Sequence, residues 1–221
     1  MTAALQPYAT MLDSLLMAFV AIERFEEPAL VSEDRLSARW GWGNWNEAPA
    51  PVLLLNDSLF SSSDYTLDLT AGTATFTSAI PAGSEMRADY SFRLLSLDQY
   101  ESFFSIGLSM ANLRKPQSAY TFEGMPATWG GLLTLNAYAQ AAKAVCLKLN
   151  MFKYRRLFEN PDGLLAQLQS TSAAAEAQWA TNLVTMKRRG DAPPLGLATM
   201  NRNVPYTIDG TNFRDYVVGA Q

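Results

Sequence analysis

The apolar residues of positions 8–26 recur every three or four residues, and this spacing predicts an amphipathic helix. The apolar face of that helix comprises Leu12, Leu15, Leu16, Phe19 and Ile22. Pro28 ends the helix because proline lacks the amide hydrogen that the helical ladder needs. The N-terminal segment is therefore predicted to pack one face of a helix on a core.

From residue 49 to residue 93 the pattern changes to an alternation of apolar and polar residues, which predicts strands with one buried and one wet face. Its clearest unit is a hairpin over residues 64–77, with a turn at Gly72. Residues 52–55 and 85–93 are predicted to form further strands of the same module. Because the connections are short, we expect an antiparallel meander.

Helical spacing returns after the β module and predicts three helices. The first begins after Ser96 and is stopped by Pro116. The second covers residues 132–158, and the third runs from Pro161 to about Arg189. Because a short turn joins the last two helices, they are predicted to form a long αα-hairpin.

Together these elements predict an α+β fold with four parts. The parts are an N-terminal helix and Trp-rich loop (1–48), an inserted antiparallel β module (49–95, with strands at about 50–93), a helical domain (96–190) and an extended C-terminal arm (191–221). In the arm, prolines and glycines prevent regular structure, yet apolar side chains such as Tyr206, Phe213 and Tyr216 recur. A segment this apolar is expected to lie on a surface, either of a neighbouring subunit or of its own chain.

The amino-acid composition excludes the commonest kinds of catalytic and metal-binding site. The chain has no histidine, which is the commonest general base and metal ligand. Its single cysteine, Cys146, excludes an intrachain disulfide and a cysteine-based zinc site, and its helical position indicates a buried structural thiol. No P-loop, dinucleotide-binding, nucleophile-elbow or zinc-protease motif occurs. We therefore expect no enzyme, and no catalytic, cofactor-binding or metal-binding residues.

Charge is divided unevenly along the chain. Residues 1–111 carry 14 acidic and 5 basic side chains, a net charge of −9, whereas residues 112–221 carry 7 acidic and 12 basic side chains, a net charge of +5. Three readings fit this asymmetry: head-to-tail stacking of identical subunits, a basic face turned toward nucleic acid, and solvated faces that happen to differ. The acidic pair of Glu26 and Glu27 is interpreted as surface residues near a helix end.

Two basic clusters lie near predicted helix C-termini, at residues 153–156 and at Lys187, Arg188 and Arg189. The helix macrodipole favours cations there, which is a structural explanation. Contact with an acidic neighbour or with phosphate are the alternatives.

Trp40, Trp42 and Trp45 lie with two glycines in a seven-residue loop. So large an apolar area fits packing in a core, contact with a partner, or stacking on a sugar or base. The candidates for a partner interface are therefore Trp40, Trp42, Trp45, Lys187, Arg188, Arg189, Tyr206, Phe213 and Tyr216.

The longest apolar run, residues 15–22, is too short to cross a bilayer. The first eight residues also lack the basic region of a signal peptide. We therefore expect a soluble protein that is made in a cytoplasm and has no membrane partner.

Residues 64–76 (DYTLDLTAGTATF) and 81–92 (PAGSEMRADYSF) resemble a hairpin that recurs in virion proteins of tailed bacteriophages. The flanking helical hairpin and the C-terminal arm are similar in organisation to head–tail connector (adaptor) proteins. This resemblance implies a non-enzymatic virion component, assembled in the host cytoplasm as a homo-oligomeric ring of about 12 copies. It also implies docking to the portal and to other neck or tail proteins, and non-specific contact with packaged DNA.

Two alternatives remain open at this point. The first is an attachment protein of the tail tip, baseplate or fibre, in which the three tryptophans form a carbohydrate-stacking platform. The second is an enzyme that uses carboxylates alone, such as a glycoside hydrolase, which no motif supports. Assembly symmetry separates a neck ring, which is twelvefold, from a tail-end protein, which is threefold or sixfold.

Overall fold

The computed structural model describes residues 3–115, 117–189, 207–208 and 211–212. The chain divides into two compact units, a β-rich unit that spans Ala18–Ser96 and a helical unit formed by the segments before and after it. Helices and antiparallel sheets are both present, so the predicted α+β fold is confirmed.

Five α-helices form the described part of the helical unit: α1 (Gln6–Leu15), α2 (Leu97–Leu113), α3 (Thr128–Leu149), α4 (Phe152–Arg155) and α5 (Pro161–Arg189). α3 is buried over most of its surface, with Lys143 and Leu147 exposed, and it packs against α1, α2 and α5, as expected of a helix at the centre of a core. Glycine allows one of these close approaches, because the ring of Tyr8 in α1 lies directly against Gly130 in α3.

α3 and α5 form the predicted αα-hairpin, and the predicted start of α5 is confirmed. Oδ1 of Asn160 accepts a hydrogen bond from the backbone N–H of Gly163 at 2.9 Å, and Pro161 takes the first helical position. An ion pair of 2.6 Å between Lys143 and Glu176 joins the two helices.

The predicted helix over residues 132–158 is wrong at its C-terminal end. α3 stops at Leu149, and Met151 has an extended backbone (φ −89°, ψ 131°) before the single turn of α4. This break begins the chain reversal that brings α5 back along α3. The apolar spacing continues through the break, which is why the sequence pattern does not reveal it.

Eight strands of the β-rich unit form two four-stranded antiparallel sheets, with the orders β1-β8-β4-β5 and β2-β3-β7-β6. The strands are β1 (Ile22–Pro28), β2 (Leu30–Val31), β3 (Ser37–Arg39), β4 (Val52–Leu55), β5 (Ser58–Leu59), β6 (Tyr65–Asp68), β7 (Thr73–Phe76) and β8 (Met86–Phe92). The chain crosses from the first sheet to the second at Ala29, whose N–H donates to the carbonyl of Met86 at 2.9 Å.

The predicted arm, residues 191–221, falls outside the described residues except for a two-stranded antiparallel ladder. Its strands are β9 (Thr207–Ile208) and β10 (Thr211–Asn212).

The predicted helix over residues 8–26 is wrong beyond Leu15, because Ile22–Pro28 forms β1. The position of Ile22 matches the helical spacing of the preceding apolar residues, but in the structure Ile22 pairs with Phe92 of β8. Because that partner is distant in sequence, no local pattern predicts the strand. As a result, the β-rich unit begins at Ala18 and includes the Trp-rich loop.

The predicted hairpin is confirmed, and the predicted meander is wrong. β6 pairs with β7 from Tyr65↔Phe76 to Asp68↔Thr73, and Gly72 in the turn has a φ of 66°, which favours glycine. β8 does not extend this hairpin. It pairs with β1 and β4 in the other sheet, so β7 and β8, which follow each other in sequence, lie in different sheets.

Substituting two adjacent glycines of α3 is expected to have opposite effects on the free energy of unfolding. In Gly130→Ala the new Cβ would overlap the ring of Tyr8, with Cζ only 2.7 Å away, whereas in Gly131→Ala it meets nothing within 4 Å. Overpacking costs about 1–3 kcal/mol, while alanine in a helix gains about 1 kcal/mol over glycine. Urea unfolding followed by circular dichroism measures both variants. A shift of the same sign and size in both would contradict the close approach of α1 to α3.

Candidate functional site

The tryptophan loop, residues 40–46, contributes two buried side chains to the core of the β-rich unit. Trp40 is 3% exposed and Trp45 is 5% exposed, while Trp42 is half-buried. Trp45 stacks on Tyr90 of β8 with ring centres 4.0 Å apart, and it meets Trp40 edge-on at 5.3 Å. Stacked and edge-on contacts of this kind stabilise a core beyond the area they bury.

The polar edges of the two buried indoles bind backbone carbonyl groups. Nε1 of Trp40 donates to the carbonyl of Glu27 at 3.0 Å, and Nε1 of Trp45 donates to the carbonyl of Trp42 at 2.8 Å. Buried indole N–H groups need such acceptors, because an unpaired buried donor costs free energy.

Trp42 is held between the hairpin turn and β8. Its ring stacks on Phe92 at 5.0 Å, and the guanidinium of Arg24 lies 5.7 Å from its centre. Its carbonyl lies against Gly72, where any Cβ would overlap it, so the turn needs glycine for space as well as for its backbone angle. We call the five packed rings of this region the aromatic cluster, which comprises Trp40, Trp42, Trp45, Tyr90 and Phe92.

Glu27 connects the aromatic cluster to β1. Its carboxylate accepts a hydrogen bond from the hydroxyl of Tyr90 at 2.6 Å and one from the backbone N–H of Gly41 at 3.2 Å. Burial raises the pKa of Tyr90, and the hydrogen bond and negative charge of Glu27 raise it further, because each disfavours the phenolate. The interpretation of Glu26 and Glu27 as a surface pair near a helix end is wrong for Glu27, which is half-buried on a strand.

These contacts show how the structure uses the predicted tryptophans. Trp45 is 5% exposed, with Tyr90 stacked on its ring, Trp40 edge-on to it and its indole N–H bound to a carbonyl, and Trp40 is almost wholly buried. Little ring surface is left on either for a sugar, a base or a partner. Trp42 keeps partial exposure, with its ring between Phe92 and Arg24.

Lys187 is engaged inside the helical unit. Its Nζ lies 2.7 Å from Oγ of Ser118 and 5.0 Å from the ring centre of Trp129. Asn112 of α2 fixes this loop, since its Oδ1 accepts hydrogen bonds from the hydroxyl of Ser118 and from the N–H of Tyr120. The amine therefore secures the loop after α2 to the end of α5.

The side chains of the remaining predicted interface residues lie outside the part of the chain that the structure describes. Arg188 and Arg189 continue the backbone of α5, and their side chains lie outside the described part of the chain. The aromatic residues of the arm, Tyr206, Phe213 and Tyr216, also fall outside it.

One face of the first sheet carries acidic side chains and exposed apolar side chains. Facing residues of antiparallel strands share a side of the sheet, so Arg87 of β8 lies on the same side as Leu54, and Leu54 on the same side as Leu59. Val52 and Asp89 face each other on this side as well.

The edge strand β1 contributes a bulge to this face. Phe25 and Glu26 both lie opposite Asp89, and the N–H of Glu26 donates to the Asp89 carboxylate at 2.6 Å. Glu26 has a φ of 49°, and Phe25 is 70% exposed. We call this surface the acidic face, which comprises Glu23, Phe25, Glu26, Val52, Asp57, Leu59, Glu85, Arg87 and Asp89.

A basic surface with exposed apolar side chains lies where α3 ends. The guanidinium of Arg156 lies 4.3 Å from the ring centre of Phe152, and the amines of Lys148 and Lys153 lie 5.4 Å and 6.0 Å from that of Tyr154. Cations over aromatic faces are stabilised by the ring quadrupole. We call this surface the basic patch, which comprises Leu147, Lys148, Met151, Phe152, Lys153, Tyr154 and Arg156.

The sequence revealed only part of these two surfaces. It marked the basic cluster at residues 153–156, but apolar spacing assigned the neighbouring Phe152 to the buried face of a helix. It placed β1 in a helix and so gave no reason to expect Phe25 at the surface. Like-signed charges beside large apolar residues were the available signal in both segments.

Cys146 is buried in α3, as predicted, and burial raises the pKa of its thiol. Among the described residues, no group of three or more His, Cys, Asp or Glu side chains is placed to bind a metal ion. No helix within the same part of the chain is long and apolar enough to cross a membrane.

Trp45→Ala is expected to lower the free energy of unfolding by about 3–5 kcal/mol, because it removes the stacking partner of Tyr90 and leaves a cavity. Leu30→Ala is the control, since Leu30 is 80% exposed and its truncation should change stability by less than about 0.5 kcal/mol. Guanidinium unfolding followed by circular dichroism compares them. Equal stability of the two variants would place the indole outside the core.

Comparison of the chain with models of protein families, with curated proteins and with solved structures finds no match.

Proposed function

We propose that this chain is a non-enzymatic component of a tailed-bacteriophage virion, a head–tail adaptor that forms a ring and joins the portal to neck or tail proteins. The resemblance of residues 64–76 and 81–92 to a virion-protein hairpin supports the phage assignment. The αα-hairpin of α3 and α5 agrees with the helical organisation of adaptor proteins.

The observation that carries the assembly role is the amount of apolar surface on both units. Among the residues that the structure describes, six large apolar side chains each expose at least 70% of their surface: Phe25, Leu30, Leu59, Leu113, Leu147 and Phe152. Single exposed apolar residues are ordinary, but groups of them beside charges mark surfaces that other proteins cover. An assembly subunit needs such surfaces, because it makes contacts on more than one side.

A ring requires two different surfaces on each copy. A contact between unlike surfaces repeats from copy to copy and closes when the rotation between neighbours divides a full turn. Exposed apolar groups on the β-rich unit and on the helical unit meet this requirement. The apolar C-terminal arm, residues 191–221, is assigned to docking on the portal or on the next ring.

The attachment-protein alternative has no specific support from the aromatic cluster. A sugar-stacking platform needs indole faces open to solvent, and those of Trp40 and Trp45 are buried against other rings.

The purified full-length chain is expected to assemble into a closed ring with about twelve times the chain mass of 24.3 kDa. Mass photometry gives the copy number, and electron microscopy of the same sample gives the symmetry. A chain that ends at residue 190 is expected to lose docking to the portal, and normal infectious particles made with this truncated chain would contradict the role of the arm. A threefold or sixfold assembly at the far end of the tail would contradict the adaptor role.

A further inference from the structure

We propose that the acidic face of one copy of this chain binds the basic patch of a second copy, and that this contact is the subunit interface of the ring. The inference rests on the proposed self-assembly and adds the two surfaces and their pairing. The contact is head-to-tail, because the acidic face belongs to the β-rich unit and the basic patch to the helical unit.

The acidic face carries more negative charge than its own cation offsets. It has five carboxylates, and the guanidinium of Arg87 contacts those of Glu85 at 3.0 Å, Asp57 at 3.2 Å and Glu26 at 3.6 Å. The hydrogen bond and charge of Glu85, more than the other two, raise the pKa of Arg87. Since one cation faces several anions, further positive charge from outside would be attracted to this face.

The basic patch has the opposite imbalance. Burial lowers the pKa of Lys148, and the positive charge of Lys153 lowers it further. Arg156 is exposed beside Phe152 and adds a third cation. A carboxylate brought by a partner would favour the protonated form of Lys148, so the patch attracts an acidic surface.

Both surfaces also expose large apolar side chains, which long-range charge attraction alone does not require. Phe25 and Leu59 of the acidic face are 70% and 76% exposed, and Met151 and Phe152 of the basic patch are 56% and 70% exposed. Burying such side chains at a contact is favourable, because it removes apolar surface from water. Aromatic residues and methionine are enriched at the centres of protein interfaces.

These apolar groups favour a protein over a nucleic acid as the partner of the basic patch. A phosphate backbone would pair with the cations but would leave Met151 and Phe152 without an apolar partner. The acidic face offers both carboxylates and apolar side chains. Every copy of the chain carries both surfaces, so a second copy supplies the complement that each one needs.

The symmetry of the proposed contact follows from the charges. A two-fold contact that set either surface against itself would place like charges together, which is unfavourable. A contact between the two unlike surfaces joins opposite charges and leaves one of each surface open at the ends. Such a contact continues until the ring closes.

Two double variants test this pairing in the full-length chain. The face variant carries Phe25→Ser and Leu59→Ser, and the patch variant carries Met151→Ser and Phe152→Ser. All four positions are exposed, so each variant is expected to fold, which circular dichroism and thermal unfolding check. Native mass spectrometry then measures the assembly of each variant alone and of an equimolar mixture.

Each variant alone is expected to lose the ring, with association weakened at least about 100-fold. The mixture is expected to form a one-to-one heterodimer that grows no further. In that heterodimer the intact acidic face of the patch variant meets the intact basic patch of the face variant, and the two exposed ends both carry damaged surfaces.

Leu30→Ser with Leu113→Ser is the matched control. These two side chains are 80% and 70% exposed and lie outside both surfaces, so the control is expected to form the wild-type ring. Like each test variant, it replaces two large exposed apolar side chains by serine, and its ring would show that the loss is specific.

Wild-type rings from both double variants would overturn the pairing and leave the ring-forming function standing. A mixture of the two variants that stays monomeric would overturn it as well, since the intact surfaces would then have failed to meet. A wild-type chain that stays monomeric would overturn the proposed function itself. If that monomer binds mixed-sequence duplex DNA and the patch variant does not, the patch contacts phosphate and the pairing is wrong.

Discussion

The β-rich unit depends on one half-buried carboxylate, that of Glu27. The carboxylate oxygens accept hydrogen bonds from the hydroxyl of Tyr90 in β8 and from the backbone N–H of Gly41. The backbone carbonyl of Glu27 accepts a third hydrogen bond, from the indole N–H of Trp40. Glu27 lies near the end of β1, just before the chain crosses from one sheet to the other. A hydrogen bond to a charged group contributes about 1.5–3 kcal/mol. One residue thus joins the edge strand, the central strand of the first sheet and the tryptophan loop, and the stacking of the aromatic cluster follows from that junction.

Local interactions explain what the sequence predicted correctly. The cap of Asn160 on Gly163 and the turn at Gly72 involve neighbours in sequence, so residue type and spacing were sufficient to find them. β1 could not be found in this way, because its hydrogen-bonding partner is β8 and its bulge at Phe25 and Glu26 interrupts the alternation of a strand. The aromatic loop was recognised, but the choice between core and surface required the rings of β8 that cover it.

The uneven distribution of charge along the sequence corresponds in part to two surfaces of the structure. The excess of acid in the first half of the sequence is concentrated in part on the sheet face around Arg87, and the excess of base in the second half at the turn between α3 and α5. In both places a break in regular structure, the bulge at Glu26 and the extended Met151, accompanies an exposed aromatic ring. The helices predicted over residues 8–26 and 132–158 are wrong in the segments that contain these breaks. The same two segments contribute to the surfaces on which the proposed assembly depends.

Carbodiimide cross-linking of a mixture of nitrogen-14 and nitrogen-15 copies tests most directly whether these surfaces meet between subunits. The reagent joins a carboxylate to an amine only when the two are in contact, and mixed isotopes identify links between different copies. We expect mixed-isotope peptides that join Glu26 or Glu85 of one copy to Lys148 or Lys153 of another. Links between copies that involve other carboxylates and exclude the acidic face, or an assembled ring with no links to the basic patch, would contradict the account.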